Sequence, residues 1–325
     1  MAKLHPDNQI TFTQELLARI LDAYSITIFS FEPINEGISN SSARIQTHDK
    51  KLVLRVYAQG KEDKDISFEI NFQDYLRAHD IPIPAIHKNN NGSGLTSVEI
   101  DGKRWQAILM DLVEGQSITT NPPYELIGEL ATTQAKMHLL GMEFATTLDT
   151  PKKLWTDLRD GHASKVENTT VGGQEIRSLI ERIKNYSYPL NPELPYGYNH
   201  LDLDFDGNVL TKENRISGIV DFEDLQYSPV IVCLGFTLWN ILDDVGIAAM
   251  KHYLREYENI RPLTPLEYET LPNIVFFRNY VMVVIRLLLW DKDTPIEDIT
   301  DLLSLEKDIP FLLSGRKGDA RERCD

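Results

Sequence analysis

The chain has 325 residues, long for one domain and comfortable for two at about 150 residues per domain. With 42% hydrophobic and 25% charged residues, 18 Gly and 16 Pro, it is not a disordered chain, a collagen-like fibre or a coiled coil. Its 33 Lys+Arg against 49 Asp+Glu leave a formal charge of −16, which repels phosphate backbones and argues against nucleic acid as a partner.

In chain order, Phe12 to Tyr24 places Leu16, Leu17, Ile20 and Leu21 at helical spacing. Ile26 to Ile34 reads as a strand. Ser42 to Thr47 and Lys51 to Tyr57 follow as two more, turning at His48-Asp49-Lys50. Asp65 to His79 is predicted helical, and Ile81 to Pro84 extended, because proline disfavours the α conformation of the residue before it. Leu95 to Ile100 and Arg104 to Leu112 form a predicted hairpin across Asp101-Gly102, a strong turn signal. Glu114 to Pro123 reads as a linker. Beyond it, Tyr124 to Leu140, Gly173 to Tyr186, Val230 to Asp243, Gly246 to Tyr257 and Pro265 to Trp290 carry helical patterns. The expectation is an α+β chain with a β-rich lobe over residues 1–113 and a larger helical lobe over 114–325. A cleft between lobes is a favoured place for a ligand.

Cys233 and Cys324 make no disulfide framework, which fits a reducing compartment. Met1 to Thr11 lacks the apolar segment of a signal peptide. Ile274 to Trp290 is strongly apolar, but Arg278, Asn279 and Arg286 interrupt it and make a core helix the better reading than a membrane span. A soluble cytoplasmic protein without a membrane partner, monomeric or homodimeric, is expected.

The exception to the helical second half is a carboxylate-rich, strand-like stretch. His200-Leu201-Asp202-Leu203-Asp204-Phe205-Asp206-Gly207-Asn208 leads into Val209-Leu210. A turn at Lys212-Glu213-Asn214 then leads through Ile216 to Val220 into Asp221-Phe222-Glu223-Asp224. A hairpin here would bring Asn208 and Asp221 close together. Phosphoryl transfer from a nucleotide uses such a grouping: one carboxylate takes the proton of the attacking hydroxyl, and Asn and Asp oxygens hold Mg²⁺ against the phosphates. Acidic turns containing glycine are common, so this stretch alone is equally compatible with a solvated turn. A strand cation paired with a helix glutamate would strengthen the case. Arg55 in Val53-Leu54-Arg55-Val56-Tyr57 and Glu69, fourteen residues on, have that spacing. The small residues of Glu36-Gly37-Ile38-Ser39-Asn40-Ser41-Ser42 let backbone amides approach phosphates. A P-loop, a His-Glu-x-x-His zinc motif and a Gly-x-Ser-x-Gly elbow are all missing from the sequence. His138, at the end of an apolar helix, reads as a core or capping histidine.

The order of these features resembles the aminoglycoside phosphotransferase / choline kinase family, small-molecule kinases with a protein-kinase-like fold. Asn35 to Arg44 resembles the family's nucleotide loop, Leu52 to Tyr57 its third strand and Phe68 to Pro84 its glutamate helix. Leu109 to Gly115 resembles its hinge and Leu130 to His138 a later helix. His200 to Leu210 and Ser217 to Asp224 resemble its catalytic and metal segments. The similarity spans roughly residues 27 to 310. It implies a bilobal fold with a small antiparallel-sheet N-lobe and a larger, mostly helical C-lobe, using ATP or GTP with Mg²⁺. By the same resemblance Asp202 is the catalytic base, and Asn208 and Asp221 are the metal ligands. Gly37, Ser39 and Asn40 belong to the nucleotide loop, Arg55 contacts phosphate and is held by Glu69, and Met110, Asp111 and Val113 face adenine. Two departures stand out. Five residues separate Asp202 from Asn208 where the family has four, so Asp204 competes for the base role unless the extra residue bulges out within Asp204 to Gly207. Val232-Cys233-Leu234-Gly235 also stands where the family often has an Asp.

The expected partner is a small-molecule hydroxyl acceptor bearing an amine, of the aminoglycoside, choline/ethanolamine or homoserine type. Trp155, Asp157, Trp239, Asp243, Asp244, Trp290 and Asp291 are candidates to hold a cation through aromatic faces and carboxylates, with Asp204 and Glu223 beside them. The alternatives are a nucleotide-binding pseudokinase scaffold without turnover, and an atypical protein kinase. Against the latter, no activation loop or Ala-Pro-Glu follows Asp221, and Phe222-Glu223 stands where protein kinases place Phe-Gly.

Overall fold

The computed structural model describes residues 10–34, 40–146, 181, 185–289 and 309. They fall into two compact units. One is drawn from Lys3–Gly115 together with Ser217–Phe222, the other from Gln116–Ile216 and Glu223–Asp325.

The first unit is built on a five-stranded antiparallel sheet. Its strands are β1 (Ser30–Ile34), β2 (Ser41–Gln46), β3 (Lys51–Val56), β4 (Thr96–Ile100) and β5 (Lys103–Asp111), in the order β1-β2-β3-β5-β4. Alternation along β3 sorts its side chains onto two faces. Leu52, Leu54 and Val56 join Ala43, Ile45, Trp105, Ala107 and Leu109 in a core closed by Leu16, Leu17, Ile20 and Leu21 of helix α1 (Gln14–Asp22). Thr13 caps that helix, its hydroxyl accepting from the Leu16 amide at 3.2 Å. Val53 lies in a second cluster with Tyr57, Ile108 and Met110, together with Ile66 and Ile70 of helix α2 (Asp63–Ala78). The β4–β5 hairpin closes as its sequence demands: Ile100 faces Lys103, and Asp101 and Gly102 both take positive φ, 51° and 73°.

The second unit is mostly helical. Its helices are α3 (Tyr124–Thr146), α4 (Val230–Asp244), α5 (Ile247–Glu258) and α6 (Pro265–Leu289). Every residue of α4 from Val230 to Leu242 is buried, as a helix apolar on all sides must be. Thr264 and Glu267 form a reciprocal capping box around Pro265: Thr264 Oγ1 accepts from the Glu267 amide at 3.2 Å, and Glu267 Oε2 from the Thr264 amide at 2.9 Å. The strand pair β6 (Tyr196–Asn199) and β9 (Gln226–Pro229) was not legible in the sequence. Its four-residue strands carry no clean alternation. Strands β7 (Val209–Lys212) and β8 (Arg215–Ile219) pair across Glu213-Asn214, both at positive φ. Gly173 to Tyr186, expected helical, lies largely outside the described residues. No described helix is long and apolar enough to cross a membrane.

Candidate functional site

From Leu201 to Asp206 the chain alternates between buried and accessible side chains. Leu201, Leu203 and Phe205 are buried, while Asp202 and Asp204 between them keep partial access to solvent. Three contacts fix its path. Asn240 Nδ2 donates to the Leu203 carbonyl at 3.2 Å, the Ile118 amide to the Phe205 carbonyl at 2.7 Å, and the Asp202 amide to buried His200 Nδ1 at 3.3 Å. His200 therefore positions the loop. Leu201 sits at φ 65°, a conformation a bulky side chain adopts only when its surroundings impose it.

Asp202 is held from two sides. Asn208 Nδ2 donates to both the Asp202 carbonyl and its Oδ2, each at 2.9 Å, and Arg278 Nη2 reaches its Oδ1 at 3.3 Å. With its amide nitrogen committed in this way, Asn208 keeps Oδ1 for another partner. Asp204 is engaged differently. Its Oδ1 accepts from the Asp206 amide at 3.0 Å, and its carbonyl accepts from the amides of Asn208 and Val209. One closed turn thus accommodates the stretch where the sequence is a residue longer than the family spacing. Burial, with Asp202 and Asp206 nearby, pushes the Asp204 carboxyl up from the usual range. Asp244 is pushed up further, to about 7, by burial and then by Asp204, Asp243 and Asp206.

In the first unit, Arg55 Nη1 donates to Asp221 Oδ1 at 2.9 Å. Asp221, like Leu201, has φ 65°. The expected pairing of Arg55 with Glu69 is not what forms. Buried Glu69 accepts from the Tyr57 hydroxyl at 2.8 Å, Lys61 Nζ at 2.8 Å and Gln73 Nε2 at 3.2 Å. Tyr57 reaches the carboxylate from the end of β3, and Lys61, just ahead of α2, supplies the charge. Burial, followed by the charge of Glu69, raises the Tyr57 hydroxyl well above its ordinary pKa. Asn40 uses its side-chain oxygen on the Ala58 amide at 3.0 Å, tying the start of β2 to the end of β3. In the expected hinge, Met110 is buried and the Asp111 amide donates to the Ala85 carbonyl at 2.9 Å. The Asp111 carboxylate meets His87 Nε2 at 2.7 Å, and the Leu112 amide donates to the Lys51 carbonyl. Val113 keeps an amide with no hydrogen bond among the described residues.

The acceptor candidates fare unevenly. Trp239 is a core residue, not a pocket wall. It is 2% exposed, and its indole N–H donates to Asn279 Oδ1 at 2.9 Å, because α4 is enclosed on every side. Glu223 lies half-buried in a single 3₁₀ turn, Phe222–Asp224. Gly37, Ser39, Trp155, Asp157, Trp290 and Asp291 lie outside the described residues. Two residues were missed at the sequence level. Lys61 gave no signal. Arg278 did, as a charge in an otherwise apolar helical run, but that signal served only to argue against a membrane span.

Comparison with known proteins bears on this arrangement. The model of the "Phosphotransferase enzyme family" matches residues 30–268. Homoserine kinase of Agrobacterium fabrum is 29% identical over 273 residues, 80% of each chain, and that of Bartonella tribocorum 25% over 303 residues, 90% of this chain and 89% of the other. Among solved structures, an amicoumacin kinase in complex with AMP-PNP, Ca²⁺ and Ami superposes with a TM-score of 0.70 at 16% identity, covering 92% of this chain and 93% of its own. A microcompartment-associated aminopropanol kinase gives 0.61 at 19% identity, covering 91% and 94%.

Proposed function

The chain belongs to the phosphotransferase enzyme family and is a small-molecule kinase, and we propose that it moves the γ-phosphate of ATP or GTP to the hydroxyl of a small amine-bearing acceptor, homoserine foremost. One observation carries the assignment of the base. Asp202 is oriented by Asn208 and Arg278 on a pinned loop, while Asp204 closes its own turn through Oδ1 and its carbonyl. In the proposed reaction the acceptor oxygen attacks the γ-phosphorus, its proton passes to the Asp202 carboxylate, and the bond to the bridging oxygen breaks to leave the nucleoside diphosphate. Asn208 Oδ1 and the Asp221 carboxylate are hard oxygen donors of the kind Mg²⁺ takes alongside phosphate and water, and are proposed as its ligands. When bound, the metal neutralises charge developing on the phosphates. Arg55 is proposed to contact the phosphates, with Asn40, Gly37 and Ser39. Glu69 acts in this scheme through Lys61 and Tyr57. Val113, with Met110 and Asp111, is proposed to border the base. The named homoserine kinases and the aminopropanol kinase support an amino alcohol or hydroxy amino acid as the acceptor.

The test is Asp202→Asn. ADP release with homoserine, ATP and Mg²⁺ should fall about 10²- to 10⁴-fold, with nucleotide affinity changed by no more than a few-fold. An unchanged rate would overturn the assignment of the base. No acceptor-dependent ADP release from the wild type on any amino alcohol or hydroxy amino acid would overturn the reaction.

A further inference from the structure

We propose that Arg278 reads a carboxylate on the acceptor, so that the preferred substrate is a hydroxy amino acid and not a plain amino alcohol. This rests on phosphotransfer at Asp202 and adds a specificity residue to it. Arg278 projects from α6 and lies mostly buried, its side chain 12% exposed, whereas the Asp202 side chain beside it is 40% exposed. The guanidinium lies over the ring of Phe236 of α4, its carbon 4.8 Å from the centroid, a cation–π contact that restrains the side chain. Yet the fork is little used. Among the described residues its hydrogen bonding is one contact of 3.3 Å from Nη2 to Asp202; Nη1 makes none, and Nε is buried with no partner.

A structural arginine at this depth normally spends its donors on carboxylates or carbonyls, because unmet donors are costly to bury. Arg261 in the same unit shows the contrast: it binds Tyr257 and Glu267 together, the latter at 2.6 Å. Arg278 instead holds a preformed, incompletely satisfied cation at the carboxylate that must meet the acceptor hydroxyl. An acceptor whose hydroxyl sits on Asp202 carries its remaining atoms within reach of this fork. In homoserine three carbon atoms separate hydroxyl from carboxylate, a short enough span to touch both. A carboxylate matches a planar guanidinium bidentately, which an ammonium or hydroxyl cannot do. On binding it takes up the free Nη1 donor and replaces Asp202 as partner of Nη2, leaving the Asp202 oxygen to the hydroxyl.

The pair that tests this is homoserine and 3-aminopropan-1-ol, which differ by the carboxylate alone. Affinity is measured by calorimetry and turnover by ADP release, for the wild type, Arg278→Leu and Arg278→Lys. The wild type should favour homoserine in both. In Arg278→Leu turnover of both acceptors should fall as Asp202 loses its ion pair, but the preference for homoserine should fall a further ~100-fold, mainly through KM. Arg278→Lys should restore part of it. The ratio of two acceptors in one preparation does not depend on the folded fraction, so a destabilised variant still reports. Equal losses on both acceptors, or a wild type that binds homoserine no better than 3-aminopropan-1-ol, would overturn the role of Arg278. Carboxylate preference in binding without ADP release would uphold it and overturn phosphotransfer instead.

Discussion

At the level of single residues, the helical unit separates polar groups that hold structure from those that stay available. His138 is 1% exposed and belongs to a hydrogen-bonded chain. Arg261 Nη1 donates to the Tyr257 hydroxyl at 3.2 Å, and that hydroxyl is 2.6 Å from His138 Nδ1. The tyrosine oxygen thus accepts from Arg261 and meets the imidazole, whose Nε2 is buried without a hydrogen-bond partner among the described residues. Burial, reinforced by the Arg261 charge, lowers its pKa well below the usual value. The sign follows: below about pH 6.5 the unfolded chain takes up a proton on this residue that the folded chain refuses, so stability is lost as pH falls. Urea denaturation between pH 7.5 and 5 should show His138→Gln less stable overall, with a pH slope shallower than wild type by up to about 1.4 kcal/mol per pH unit. Parallel slopes would mean that His138 takes up its proton in the fold as readily as in the unfolded chain. Cys233 is the apolar counterpart: buried within α4, its thiol is pushed up to about 12 mainly by burial, so it behaves as a small hydrophobe.

Among the elements, α4 positions much of the proposed acceptor side. Phe236 supports Arg278, Asn240 pins Leu203, and Trp239 anchors Asn279 of α6. This depends on a close crossing of α4 and α6 at Gly235. A Cβ there would lie 2.5 Å from Ile274 Cγ2 and 3.0 Å from Ile274 Cβ, too near the α6 backbone for a rotamer change to relieve. Gly235→Ala gains helix propensity but must push the helices apart, and overpacking of this kind costs about 1–3 kcal/mol. A lowered melting temperature is expected, with the homoserine KM raised as Arg278 shifts. A variant as stable as wild type would show that the crossing is looser than its geometry implies. In the sheet unit, Glu69 plays the corresponding part, gathering Tyr57, Lys61 and Gln73 onto one buried carboxylate.

For the molecule as a whole, the dominant sequence-level quantity is the net charge of −16. Self-repulsion at this charge opposes the compact state, and salt screens it: the Debye length falls from about 30 Å at 0.01 M to about 8 Å at 0.15 M. Raising NaCl across that range at pH 7.5 should increase the melting temperature by roughly 2–4 °C, with little further gain above it. A melting temperature that falls with salt would place the balance with local ion pairs, such as Arg55–Asp221 and Arg261–Glu267. Despite this acidity, the described residues contain no His, Cys, Asp or Glu group of three or more able to hold a metal. The proposed Mg²⁺ ligands, the Asn208 amide and the Asp221 carboxylate, do not require such a group.

Local chemistry alone determined a good deal. The Asp101-Gly102 hairpin, the amphipathic α1, the helical run from Val230 to Asp243 and the strand-like carboxylate stretch after His200 each depend on neighbours a few positions away, and each could be read before any coordinates. The order of motifs identified the kinase family for the same reason: phosphoryl transfer constrains residue types at short spacings. What the sequence could not decide was which distant side chain meets which. Arg55 and Glu69 had suitable spacing, but packing handed Glu69 to Lys61 and Arg55 to Asp221. Trp239 was a plausible pocket wall until α4 proved enclosed, and Arg278 was an interruption in an apolar run until α6 set it against Asp202, 76 positions away. Side-chain partnership at that separation is fixed by helix rotation and crossing angle, quantities that arise only when all the apolar faces are buried together.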